Sequence, residues 1–200
     1  QPAGQLTKAY YLYEGGVDRV FNWAIHHASL PSKSQLADVE TAVRYPYGNA
    51  LLLAHEVSER ETRIAATSNA IDELGLGTHV LASMKPGQGI AVLVWNYNWR
   101  NTPPELPFDV LVRNVPHSAV GGGQIRSTVY VIDSKTNNVF TNPTQNTLTV
   151  TRSEVLDYSP TVRIPLQLER QAVALILLTP ETAACEHRAP ESQRSLVPCG

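Results

Sequence analysis

The amino-acid pattern changes about a third of the way along the chain, and this change limits what the chain can fold into. Leu6–Glu14 has the composition of a helix end, and a glycine pair at 15–16 favours its termination. Val17–Ile25 is apolar on both faces, as expected for a buried parallel strand. A polar stretch then leads to a second predicted helix, Asn49–Thr67. One strand and two helices cannot enclose a core, so residues 1–68 must pack on the rest of the chain or complete an α/β domain supplied elsewhere.

The second predicted helix has a charged side and an apolar side. Glu56 with Arg60, and Glu59 with Arg63, have the spacing of ion pairs along its solvent face. Its apolar side and the faces of the predicted strand should be exposed unless a partner covers them. Coverage of these faces by the chain's own sheets would count against a missing partner.

The remainder of the chain predicts one strand after another with no helix between them. Short strands in this arrangement favour an antiparallel β-sandwich. The strands are predicted at Thr78–Ser83, Gly89–Tyr97, Phe108–Val115, Ser127–Ile132, Thr147–Thr151, Val162–Glu169 and Ala172–Thr179. The predicted organisation is therefore an α/β part over residues 1–68, a β-sandwich domain over 69–182 and a polar tail over 183–200.

The pattern also predicts where some strands lie within the sheets. Val162–Glu169 alternates apolar and polar residues, which indicates one buried and one solvated face. Pro165 favours an edge position for this strand because proline cannot donate a backbone hydrogen bond. The runs IAVLVW and AVALILL are apolar on both faces and should be central.

Composition and charge exclude several classes of function. The chain has 16 Lys and Arg against 18 Asp and Glu and no basic block, so nucleic acid is not an expected partner. No apolar run approaches the roughly 20 residues of a transmembrane span. Cys185 and Cys199 are too far apart for a Cys-x-x-Cys motif. A disulfide in an oxidising compartment and two free thiols are both compatible with their positions.

The residues themselves predict no complete active site. Trp95, Tyr97 and Trp99 alternate along one predicted strand, either as a sugar-stacking platform or as part of the sandwich core. His26 and His27 follow a buried strand, but no third ligand stands at a spacing typical of a metal site. We therefore expect neither a metal nor a cofactor.

Five segments follow one another over about residues 6 to 180: AYYLYEGGVDRVFNWAI, YPYGNALLLAHEV, GLGTHVLASMKPGQGIAVLVWNYNW, VYVIDSKTNNVF and AVALILLTP. Taken together, they resemble glycoside hydrolase family 39. This family includes β-xylosidases, α-L-iduronidases and bacterial exopolysaccharide glycosidases. Its members have a (β/α)8 barrel followed by a β-sandwich that packs against it.

The resemblance implies that residues 1–68 are the terminal strand and helices of such a barrel. The first predicted helix would be the end of the seventh barrel helix. The predicted strand would be the eighth barrel strand, and the second predicted helix would be the eighth barrel helix. Active sites of these barrels lie at the C-terminal ends of the strands. By this resemblance, the substrate-binding residues are Trp23, as a wall of the sugar subsite, and the nearby Asn22, His26 and His27.

The resemblance also indicates what this chain lacks. Family members are retaining enzymes with two catalytic glutamates, whose carboxyl groups in such enzymes lie about 5–5.5 Å apart. The acid/base glutamate follows an asparagine, whereas this sequence has no Asn-Glu dipeptide and begins downstream of where the nucleophile is expected. No catalytic residue is therefore predicted in this chain.

The expected function is that of the C-terminal portion of a retaining glycoside hydrolase acting on oligo- or polysaccharide. The chain would contribute one wall of the sugar subsite and the accessory β-sandwich. An upstream barrel polypeptide, or an N-terminal region that has been lost, would complete the enzyme. Export to the periplasm or the extracellular space is expected. The alternative is a non-catalytic β-sandwich module for carbohydrate binding or adhesion.

Overall fold

Strands rich in β-branched residues dominate the folded chain, as the sequence pattern predicts. The computed structural model describes residues 2–17, 36–37, 43–99, 105–145 and 147–181. The elements within these ranges are α1 (Pro2–Glu14), α2 (Pro46–Ser58), β1 (Thr62–Ile64), β2 (Gly77–Lys85), β3 (Gly89–Tyr97), β4 (Glu105–Arg113), α3 (His117–Val120), β5 (Gln124–Ile132), β6 (Arg152–Asp157), β7 (Thr161–Glu169) and β8 (Val173–Pro180).

The strands form two antiparallel sheets. Six strands make the larger sheet, in the order β1-β2-β3-β8-β5-β6, and β4 pairs with β7 in the smaller sheet. The central position predicted for the two apolar runs is confirmed, because they form β3 and β8 in the middle of the larger sheet. Pro165 lies on β7 opposite Asp109, and β7 pairs with β4 alone among the described strands, which confirms the predicted edge position.

The space between the two sheets is filled by aliphatic side chains. Val92 and Val94 on β3 and Ile176 on β8 point toward the smaller sheet, where Ile164 and Leu168 on β7 meet them. Each of these five side chains is at most 3% exposed. This part of the chain is therefore an antiparallel β-sandwich, as predicted.

A second core lies on the opposite face of the larger sheet, where α1 and α2 pack. Leu6 of α1 and Leu53 of α2 pack in one buried cluster with Leu93, Trp95 and other side chains of the sheet. Leu53 is 1% exposed, so its truncation to alanine would cost about 2–5 kcal/mol. The expectation of an exposed apolar side is wrong for the second helix, because the chain's own sheet covers it. The predicted strand Val17–Ile25 lies, after its first residue, outside the described part.

The second helix is shorter than predicted. It ends at Ser58, and the chain then forms β1, which pairs with Ala82–Met84 of β2. Pairing with a strand that lies far away in sequence thus overrides the helical periodicity of the predicted span. β1 thus lies within residues 1–68, the part predicted to be α/β, and joins the larger sheet. The predicted domain boundaries stay predictions.

One of the two predicted ion pairs forms. Arg60 lies beyond the helix end, but its guanidinium still reaches the Glu56 carboxylate at 3.2 Å. The predicted pair of Glu59 with Arg63 is wrong. Arg63 belongs to β1 and contacts Glu14 at 2.7 Å, so the pair connects this strand to the end of α1.

The strand predicted at Thr147–Thr151 is also wrong, and β6 begins immediately after it. The backbone N–H of Thr149 donates to the side-chain oxygen of Asn137, and the Thr149 carbonyl accepts a hydrogen bond from the Asn137 amide. A side chain therefore takes the backbone groups that a strand ladder would have used. The regular ladder between β5 and β6 starts at Arg152 opposite Val129.

Candidate functional site

The substrate-binding residues predicted from the sequence lie outside the described part of the chain. They are Asn22, Trp23, His26 and His27. Cys185 and Cys199 lie outside it as well. The structure does describe both flanks of the predicted site, which are the end of α1 and the start of α2.

The flank at the start of α2 is held by backbone hydrogen bonds and by an aromatic contact. The Tyr45 N–H donates to the Leu36 carbonyl at 2.8 Å, and Pro46 occupies the start of the helix, where its fixed φ favours helix initiation. Tyr45 is 6% exposed, and its ring centroid lies 4.6 Å from that of Phe140 with a tilt of 37°. The start of α2 therefore contacts a loop of the sandwich.

That loop, residues 133–145 between β5 and β6, is fixed by the buried Asn137. The Asn137 side-chain amide donates to the carbonyls of Val131 and Thr149 at 2.7 and 3.0 Å. Its backbone N–H donates to Gln145, and its carbonyl accepts a hydrogen bond from Asn49 of α2 at 3.4 Å. Asn137 has φ +54°, in the left-handed region that asparagine tolerates better than most residues. One residue thus connects the loop to β5 and to α2.

Phe140 stands at the surface of this loop, in a stretch of sequence rich in asparagine and threonine. Its ring is 56% exposed, and its backbone N–H donates to the side chain of Asn138 at 3.2 Å. Asn142 accepts a hydrogen bond from the Thr144 hydroxyl at 2.7 Å. Sequence reasoning did not assign Phe140 a role, although the resembling segment VYVIDSKTNNVF ends on it.

The aromatic row that begins on β3 and continues to Trp99, two residues past its end, is divided between core and surface. Trp95 is fully buried, where its ring stacks on His79 with centroids 5.4 Å apart and an angle of 12°. Trp99 is 63% exposed at the other end of the row. The core interpretation therefore holds for Trp95, which is not available to stack on a sugar.

His79 is a structural residue of this core. Its Nε2 lies 3.0 Å from the Gly75 carbonyl, and its buried Nδ1 has no hydrogen-bond partner in the structure. Burial lowers the pKa of the His79 imidazole, and the Gly75 hydrogen bond opposes this effect. Burial in this core therefore favours the neutral form of the imidazole.

A cleft of about 580 Å³ lies between β2, β3 and β4 at one edge of the sandwich. Val80 and Val92 form part of one wall and Phe108 part of the other, while residues 65–70 border the cleft. Among the described residues that line it, Asp109 is the one carboxylate, and the hydrogen bond from Arg163 at 2.7 Å lowers the pKa of Asp109. A single paired carboxylate does not supply the acid and nucleophile of glycoside hydrolysis.

The described ranges contain neither a metal-binding cluster nor a membrane-spanning helix. No group of three or more His, Cys, Asp or Glu side chains within them is arranged to hold a metal ion. None of the helices in this part of the chain has the length and apolar character needed to span a membrane.

No protein-family model matches the sequence, and a search of curated proteins found no match. The fold, by contrast, has neighbours among solved structures. One is the crystal structure of the GH39 enzyme from Xanthomonas axonopodis pv. citri, at 17% identity and TM-score 0.54, with 70% of this chain and 31% of that chain covered. Another is a glucosidase from Croceicoccus marinus, at 15% identity and TM-score 0.51, with coverages of 76% and 33%.

These matches span about a third of the length of the two neighbours. At such low identity they concern the fold alone. The fold resemblance to glycoside hydrolase family 39 is thereby confirmed, and the partial coverage fits a C-terminal fragment of a family 39-like protein.

Proposed function

We propose that this chain is the C-terminal portion of a retaining glycoside hydrolase that acts on oligo- or polysaccharide. The observation that carries the proposal is the fold shared with the Xanthomonas GH39 enzyme over 70% of this chain. In this proposal, residues 1–68 are the end of a (β/α)8 barrel and the sandwich is its accessory domain. We also propose that the enzyme is exported.

The chain's own sheet covers the apolar side of α2 that carries Leu53, but three other large side chains of the two long helices are exposed and support this arrangement. α2 buries Leu53 against the sheet, whereas Leu51 on the same helix is 37% exposed. On α1, Tyr11 and Tyr13 are 48% and 66% exposed. A helix between a barrel and a sandwich needs apolar side chains toward both, and upstream barrel elements would cover these three residues.

The chain's role in the reaction would be to shape the sugar subsite. Trp23 would form one wall of the pocket, with Asn22, His26 and His27 beside it at the C-terminal end of the last barrel strand. The two glutamates that act as nucleophile and as acid/base would come from the upstream barrel. One carboxylate attacks the anomeric carbon while the other carboxylic acid protonates the leaving oxygen.

The test is hydrolysis of aryl glycosides by the protein expressed from its complete open reading frame. Native mass spectrometry first establishes whether a barrel-sized polypeptide accompanies or extends this chain. Trp23→Ala should lower kcat/KM by about tenfold or more, because the loss of an aromatic wall removes packing against the sugar. Trp99→Ala is the matched control, since it also removes an indole, but from an exposed position two residues after β3. A wild-type protein that hydrolyses no glycoside would overturn the proposal.

A non-catalytic carbohydrate-binding module is the second candidate. It is favoured by the way α1 and α2 cover the chain's own sheet, where Leu53 of α2 and Trp95 of β3 are buried in one cluster. A stable, folded and unaccompanied 21.9 kDa species that binds glycans without hydrolysing them would support this alternative.

A further inference from the structure

We propose that Phe140 and the amides beside it form an additional sugar-binding subsite, contributed by the sandwich to the edge of the active-site face. This inference rests on the proposed function, because it takes α2 as the last helix of the barrel. The ligand would be a neutral oligosaccharide, bound through a sugar unit remote from the bond that is cleaved.

The first step concerns where the loop lies relative to the barrel. In a (β/α)8 barrel, the C-terminal end of each strand and the start of the following helix lie on the face that carries the active site. If α2 is the last barrel helix, its first turn lies on that face. Tyr45 immediately precedes α2 and contacts Phe140 with ring centroids 4.6 Å apart. The sandwich loop would therefore reach the barrel on its substrate side.

The second step concerns the rigidity of the platform. An exposed aromatic residue is common on protein surfaces and needs no special role. Phe140, however, rests on the buried ring of Tyr45, and its loop is fixed by the hydrogen bonds of Asn137 to β5 and to Asn49 of α2. A preorganised ring loses little conformational entropy when a ligand binds to it.

The third step concerns the chemistry that surrounds the ring. The apolar face of a pyranose can pack on the exposed side of Phe140, as apolar groups do on aromatic surfaces. Asn138, Asn142 and Thr144 lie within four residues of it in sequence. The Asn138 amide already donates to the Asp133 carbonyl at 2.8 Å and accepts from the Phe140 N–H, and the Thr144 hydroxyl donates to Asn142. The amide N–H groups of Asn142 and the hydroxyl oxygen of Thr144 are therefore the groups suited to sugar hydroxyls.

The charged residues of the loop, Asp133 and Lys135, are engaged within the protein: Asp133 accepts two backbone hydrogen bonds, and Lys135 pairs with Glu169 at 3.6 Å. Residues 136–145 contain no Asp, Glu, Lys or Arg, and this stretch around Phe140 favours a neutral sugar over a uronic acid or a sulfated one.

The experiment uses the protein expressed from its complete open reading frame. Two substrates are compared: the neutral aryl monoglycoside that the wild type hydrolyses best, and the tetrasaccharide of the same sugar. Phe140→Ala should raise KM for the tetrasaccharide about tenfold and leave KM for the aryl monoglycoside unchanged, because only the longer substrate reaches the subsite.

Two further variants keep the test interpretable. Phe140→Leu retains apolar packing on Tyr45 but removes the flat ring, so it should show the same KM effect with an unchanged Tm. Leu74→Ala removes another exposed apolar side chain, at 65% exposure, and should leave both KM values at the wild-type level.

The outcomes separate this subsite from the proposed function. If the wild type hydrolyses both substrates and Phe140→Ala leaves KM for the tetrasaccharide unchanged, the subsite is overturned. The proposed function is then still supported. Equal effects of Phe140→Ala and Leu74→Ala on the tetrasaccharide would also overturn the subsite. A wild-type protein that hydrolyses neither substrate would overturn the proposed function and, with it, the subsite.

Discussion

The indole Nε1 of Trp95 donates a hydrogen bond to the hydroxyl of Thr7 over 2.8 Å, and both residues are buried. Trp95 belongs to the centre of the larger sheet, and Thr7 belongs to α1. Tyr10, one turn further along α1, lies edge-on to the same indole with centroids 5.8 Å apart. The first helix is therefore an integral layer of this fold, held by a directional contact as well as by apolar packing.

Thr7→Val should destabilise the chain by about 1–3 kcal/mol, because it leaves the buried indole N–H without an acceptor. Thr7→Ser is the matched control, since it keeps the hydroxyl and should retain most of the stability. Urea unfolding followed by tryptophan fluorescence measures both variants. A Val variant as stable as the Ser variant would show that the hydrogen bond contributes nothing.

Stability should fall in mildly acidic solution because of His79. Burial lowers its folded-state pKa below the ordinary value of 6.5, so the unfolded chain takes up a proton at a higher pH than the folded one. The contribution of the neutral His79 ring to the free energy of unfolding is therefore fully present above pH 6.5. It is lost as the pH falls below this value toward the pKa of the folded state. Protonation of Nδ1 would place a charge in the core with no acceptor for its proton.

His79→Gln tests this expectation, because glutamine can still donate to the Gly75 carbonyl but does not ionise. The free energy of unfolding, measured by urea titration at several pH values, should fall less steeply in the variant than in the wild type below pH 6.5. Parallel pH profiles for the two proteins would contradict the assignment.

Sequence reasoning located the strands best where burial is continuous. The bounds of β3 were predicted to the residue, and its central position followed from an apolar run with no polar face. A strand with apolar side chains on both faces can bury all of them only when it lies between two packed layers. The register of pairing with β8 had no local signal, because it depends on contacts far apart in sequence.

Two wrong predictions of secondary structure have different physical causes. The helical periodicity of Asn49–Thr67 was overridden where β1 pairs with β2. The strand predicted at Thr147–Thr151 was lost to hydrogen bonds with the Asn137 side chain. The contact of Phe140 with Tyr45 joins two loops distant in sequence, and no local pattern could have indicated it.

Asn137 should be among the least replaceable polar residues of the described chain. Asn137→Gly keeps access to the positive φ but removes the side-chain hydrogen bonds, and it should cost about 1–3 kcal/mol. Compared with the Gly variant, Asn137→Ala adds the strain of a Cβ in the left-handed region, which should cost about 1–2 kcal/mol more. Chemical unfolding of both variants gives the two contributions separately. An Ala variant that equals or exceeds the Gly variant in stability would contradict this account.

Gly89 should tolerate no side chain, because it begins β3 where that strand meets β8. Its φ is +90°, and a Cβ there would collide with the carbonyl group of Leu178 on the neighbouring strand. Gly89→Ala combines backbone strain with a clash inside the central pair of strands, so we expect a loss of about 2–5 kcal/mol. Gly87 in the same hairpin is the matched control, since its φ is +71° but nothing lies within 4 Å of the added Cβ. Gly87→Ala should lose only about 1–2 kcal/mol in the same unfolding experiment, and equal losses in the two variants would show that the clash with β8 is relieved without cost.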